Sequence, residues 1–110
     1  MNDELKKYLQ DILSCIEFIE KETGAVKLYK EYENNFLLKA AVERKLEIIG
    51  EAISRASKIE PNLPISNKEK IISTRNRIIH AYDAVDDIMI WEIVINHLPV
   101  LKKEIEGLLK

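Results

Sequence analysis

The sequence predicts an all-α fold: an antiparallel bundle of four long helices plus a short helix, in a single domain over residues 1–110. Three observations carry that reading. Apolar residues recur at spacings of three and four along three long stretches, the stripe of a helix packed in a bundle. No stretch alternates apolar and polar residues in the way of a half-buried strand. Only three glycines and three prolines punctuate the 110 residues, so long segments run without a breaker.

Each element can be justified in turn. Leu5, Leu9, Ile12, Cys15 or Ile16, and Ile19 form the seam of the first helix, which Gly24 ends. A short helix covers residues 25–32. Asn34 or Asn35 caps the next helix, whose seam is Val42, Leu46, Ile49, Ile53 and Ala56. "EPNLP", residues 60–64, is the connector, with two prolines and an asparagine. In "SNKE", Ser66 as N-cap and Glu69 at the third helical position form a capping box. That helix runs to about His80. Residues 83–87 lead into the last helix, with Asp86 or Asp87 as its cap. Its seam is Trp91, Val94, Leu98, Leu101, Ile105 and Leu108, and Pro99 inside it should produce a kink.

Composition excludes several classes of function. The formal net charge is −2, so any contact with nucleic acid is local rather than spread over a broad basic face. The single Cys15 excludes an intramolecular disulfide and a Cys-rich zinc site, and reads as a small buried hydrophobe. No His or carboxylate pair has metal-ligand spacing, and three glycines allow no phosphate-cradling loop. We expect no metal and no cofactor. No apolar run reaches the length of a membrane span, and the first residues hold no signal-peptide core. The expectation is a cytoplasmic protein without a membrane partner.

A bundle by itself implies no activity, so chemistry must come from residues that break the pattern. They cluster in "RNRIIHAYD", residues 75–83. Ile71, Ile72, Ile78 and Ile79 mark an apolar arc of roughly 120° at 100° per residue, and Arg75 points into its middle. Its guanidinium can snorkel to water or pair with a carboxylate, Glu51 being one candidate. Alternatively it lines an open cleft and binds an anion, for which its planar fork is suited. His80 either closes the helix end or transfers protons near neutral pH. Five residues separate it from Arg75, so the two diverge by about 140° on a regular helix. They can meet at one phosphate where the helix end distorts, or where two copies of the helix face each other. Asn76 either orients the imidazole, donates to a phosphate, or is an exposed polar residue. Tyr82 is an amphipathic core edge or an accessible phenol. His97 reads as a surface or packing residue.

"RNRIIHAY" fits R-x-x-x-x-H-x-Y, and with it the chain resembles HepT-like HEPN proteins. Arg75, His80 and Tyr82 take the three fixed places, and Asn76 the polar place after the arginine. "AVERKLEIIGEAI", residues 41–53, resembles the family's central helix with its "GEA" element at Gly50, Glu51 and Ala52. "WEIVINHLPVLKKEI", from Trp91, is similar to its last helix. Two positions depart from the pattern: Thr74, where an apolar residue is common, and Asp83, where an aromatic is. The resemblance implies a homodimeric toxin with metal-independent ribonuclease activity, encoded beside a minimal nucleotidyltransferase antitoxin, MntA. It makes Arg75 and His80 catalytic, Asn76 supporting, and Tyr82 the acceptor of AMP from the antitoxin. The seam around Arg75 would then be the dimer seam. A related HEPN branch implies the alternative, a non-catalytic substrate-binding partner of a nucleotidyltransferase, and an inactive helical bundle is the third reading.

Overall fold

Asn2 opens the first helix. Its side-chain oxygen accepts from the Leu5 amide at 3.0 Å, satisfying one of the donors that every helix start leaves over. The computed structural model describes residues 1–24, 28–80 and 85–110. Helix α1 runs Asp3–Thr23, the short α2 runs Tyr29–Glu33, α3 runs Phe36–Ile59 and α4 runs Lys68–Ile79. Then α5, Asp87–Glu92, a π-helical turn, Ile93–His97, and α6, Leu98–Leu108, follow without a break. Four long helical runs and one short one are therefore formed, as expected, and no strand occurs among the described residues.

The seams read from spacing are the core. Leu9, Ile12, Ile16 and Ile19 of α1 and Val42, Leu46, Ile49, Ile53 and Ala56 of α3 are all fully or almost fully buried. Cys15 is buried beside Ile16, and burial raises its thiol pKa, as befits a packed hydrophobe. Helix α3 is the centre, packed on α1 along one side and on α4 along another, while α1 also meets α6. Tyr8 lies beside Arg55, and Lys45 sits 4.7 Å above the Phe18 ring, so α1 and α3 run antiparallel. Lys70 reaches Glu92 at 3.3 Å and Arg77 reaches Met89 at 3.1 Å, which makes α4 and α5 antiparallel too. No helix among the described residues is long and apolar enough to cross a membrane.

Three local expectations need correction. Ser66 caps nothing: Asn67 stands before α4 with φ 60°, in the left-handed region, and no side chain caps the helix start. The Ser66 amide and hydroxyl instead donate to the Glu104 carboxylate on α6, at 3.0 and 2.8 Å. A charged tertiary acceptor has displaced a local device. Pro99 does not sit within a regular α-helix: a π-helical turn precedes it. It lies in the first turn of α6, where its missing N–H has no partner to lose, and the turn before it widens so that the Leu98 amide donates to the Ile93 carbonyl, five residues back. The extra residue shifts the seam: Ile90 and Ile93 become fully buried, while Trp91 and Leu108 are only half-buried. Gly24 ends α1 as expected, with a right-handed φ of −58°. The short helix begins at Tyr29 rather than residue 25; residues 25–27 lie outside the described part. Of the paired cap candidates, Asn35 and Asp86 do the work.

Candidate functional site

The four isoleucines of α4 do not form one face. Ile71, Thr74 and Ile78 turn inward and are buried. Ile72, Arg75 and Ile79 form the adjacent row, which is only partly covered, with Ile79 44% exposed. Thr74, the departure from the apolar pattern, fits the inner row because its hydroxyl donates to the Lys70 carbonyl at 2.8 Å. A satisfied hydroxyl can be buried at little cost.

Arg75 is held from three sides. Its stem lies on α3 at Gly50, where a Cβ would come within 2.5 Å of the Arg75 Cβ. Only a residue without a side chain lets the two helices approach this closely. Its Nη2 pairs with Glu51 Oε2 at 2.7 Å, the partner the sequence offers. Its Nη1 donates to Asn76 Oδ1 at 3.0 Å. Nε is buried without a hydrogen-bond partner among the described residues. The other Glu51 oxygen, Oε1, accepts from Arg55 Nε at 2.7 Å, so one carboxylate bridges two guanidinium groups. Beside them opens a cleft of about 240 Å³ between α1, α3 and α4, with Tyr8, Arg44, Ala52 and Ile79 among its lining residues.

His80 stands at the C-terminal cap of α4, exposed, its amide donating to the Asn76 carbonyl at 3.0 Å. It shares the end of α4 with the outer row but does not converge with Arg75 through any hydrogen bond or ion pair among the described residues. Asn76 is exposed and its side-chain oxygen accepts from Arg75, a use that the sequence did not suggest. Tyr82 and Asp83 lie outside the described residues. His97 is partly buried at the end of the π turn, 3.7 Å from Glu92, a packing role. Among the described residues, no group of three His, Cys, Asp or Glu side chains could hold a metal ion.

Sequence reasoning found Arg75 on α4 and Glu51 on α3 as a candidate partner, but missed the parts played by Gly50 and Arg55. Arg55 has a signal in the sequence, an i, i+4 pairing with Glu51 on α3. Gly50 has none beyond being a glycine inside a strong helix.

With that geometry in view, the chain belongs to the HepT-like ribonuclease family, whose pattern, described as "Ribonuclease HepT-like", it matches over residues 12–108. It is 36% identical over 108 residues to a "Putative RNase" of Methanocaldococcus jannaschii, covering 97% of this chain and 92% of that one. It is 34% identical over 109 residues to a "Probable ribonuclease HepT" of Thermococcus cleftensis, covering 96% of each. A "Putative RNase" of Caldanaerobacter subterraneus is 30% identical over 113 residues, covering 96% and 94%. No solved structure matches the chain.

Proposed function

We propose that this chain is a metal-independent endoribonuclease of the HEPN type, acting as a homodimer in the cytoplasm, with Arg75 and His80 as its catalytic residues. The observation that carries this reading is the state of Arg75 in a chain of this family. An arginine that served only as glue would be spent inside the bundle. This one makes one hydrogen bond and one ion pair among the described residues, out of five N–H donors. It remains 28% exposed at the wall of a cleft.

The chemistry follows from what RNA brings. Its 2′-hydroxyl attacks the adjacent phosphorus and loses its proton; the bond from phosphorus to the 5′-oxygen breaks, and that oxygen gains a proton. The products are a 2′,3′-cyclic phosphate and a 5′-hydroxyl. His80 moves a proton, at a typical gain of ~10²–10⁴-fold. Arg75 stabilises the negative charge that builds on the phosphoryl oxygens. In one copy the two side chains leave α4 in different directions, and two copies facing across the Ile72–Arg75–Ile79 row would put an Arg and a His from each at one phosphate. The resemblance further supports a toxin role with a minimal nucleotidyltransferase as antitoxin, which adds AMP to Tyr82 and so attaches a bulky anion two residues from His80 in the sequence.

The test is cleavage of an end-labelled RNA by purified protein in EDTA. Wild type is expected to leave cyclic phosphate ends and to spare DNA, which lacks the nucleophile. Arg75→Ala and His80→Ala should each lose ~10²-fold or more with little change in Tm, and His97→Ala should not. Activity that needs magnesium, or variants that lose activity only in proportion to folded protein, would overturn the assignment. Protein co-expressed with its nucleotidyltransferase should gain AMP by mass, and Tyr82→Phe should not.

A further inference from the structure

We propose that Glu51 is a positioning residue for Arg75, and that Gly50 exists in this helix to allow it. This rests on Arg75 acting on the RNA phosphate. A free arginine side chain has several rotatable bonds, and ordering it at the moment of reaction costs free energy. Here the ordering is done beforehand. The stem is pressed onto α3 at Gly50, Glu51 takes Nη2 at 2.7 Å, and Asn76 takes Nη1 at 3.0 Å. Contacts at both terminal nitrogens fix the plane of the guanidinium as well as its position. Each of those nitrogens keeps a second N–H, and Arg75 lines the cleft, so an anion there would find donors on an ordered group.

The same carboxylate holds Arg55, which answers an objection. A lone carboxylate would neutralise Arg75 and repel phosphate. Bridging two guanidiniums leaves the trio with a net charge of +1, so Glu51 can anchor Arg75 without cancelling the positive charge of the trio, even though Asp11, Glu47 and Arg44 bring the charged lining of the cleft as a whole to zero. An acid in this place is thus compatible with an anionic substrate because Arg55 accompanies it.

The experiment is a double-mutant cycle in single-turnover RNA cleavage by the full chain. Glu51→Ala should lower the rate constant ~10- to 100-fold, the scale of a misplaced catalytic group, with the RNA concentration for half-maximal rate changed less than about threefold. The same change made in Arg75→Ala, or in Arg75→Lys where residual rates are higher, should cost less than about twofold, because there is no guanidinium left to position. Melting temperatures of all variants separate positioning from folding.

Equal losses in both backgrounds would overturn the proposal and show that Glu51 acts by another route. So would a faster Glu51→Ala enzyme, which would mark the carboxylate as a competitor for the phosphate site. Full activity in Arg75→Ala would overturn the underlying role of Arg75 instead, and is distinguishable because it is read before Glu51 is touched.

Discussion

Gly50→Ala is the smallest change that reaches the site without altering any charged group. An added Cβ would sit 2.5 Å from Arg75 Cβ and 3.2 Å from both Cγ and Cδ. Carbon atoms prefer separations of about 3.5–4.0 Å. The first of these neighbours is the root of a side chain, so no rotamer change moves it away, and α4 must retreat from α3 by about 1 Å. Overpacking of this kind costs roughly 1–3 kcal/mol. The helix itself gains about 1 kcal/mol when alanine replaces glycine in its interior. The net expectation is a loss of about 1 kcal/mol, or a Tm lowered by about 4–8 °C. The effect on cleavage should be larger than that stability loss. Arg75 moves with α4, and a displacement of about 1 Å can cost ~10²-fold in rate. The assay is thermal unfolding by circular dichroism beside RNA cleavage well below the new Tm, where nearly all the protein is folded. A raised Tm with full activity would refute the reasoning, because it would mean that the helices separate freely and that the close approach at Gly50 positions nothing.

Two further outcomes follow from the same coordinates. Ile79→Glu, at a residue 44% exposed in one copy, should change monomer stability by only about 0.5 kcal/mol; it should abolish dimers in sedimentation, since an unpaired carboxylate buried in an interface costs several kcal/mol, and wild type sedimenting as a monomer at micromolar concentration would reject the shared cleft. Tyr32→Phe should raise Tm by about 4 °C, roughly 1 kcal/mol, because the Tyr32 hydroxyl is buried without a partner among the described residues while its ring, 5.1 Å from that of Trp91, would stay in place; a lowered Tm would mean that the hydroxyl is satisfied after all.

The helices were legible in the sequence wherever burial repeats with the helical period. Eleven unbroken residues from Val42 to Ala52 already determine which side of α3 faces inward, and Ile49 and Ile53 are buried accordingly. What failed to read were contacts between elements distant in sequence. Nothing near Ser66 announces Glu104, 38 residues on, so a plausible local cap was inferred where a tertiary bond forms. Pro99 announced a disturbance correctly, but not its form, a π turn before the proline that goes with the burial of Ile90 and Ile93. On α4, an arc of four isoleucines hides two rows, because residues 71 and 72 differ by about 100° and only one of them can face α3 squarely.

The "GEA" element shows how a pattern recognised by resemblance acquires a physical reason. Gly50 supplies the gap for the Arg75 stem. Glu51 supplies one acceptor to Arg75 and the other to Arg55. Ala52, almost fully buried, lines the cleft where a longer side chain would occupy it. These three neighbours lie on α3, yet each acts on what α4 presents across the helix interface. That is why an arginine can point at an apolar seam here without the usual penalty. Its charge is met by a bridging carboxylate, its stem by a glycine, and its partly exposed head stands at an open cleft rather than in the core.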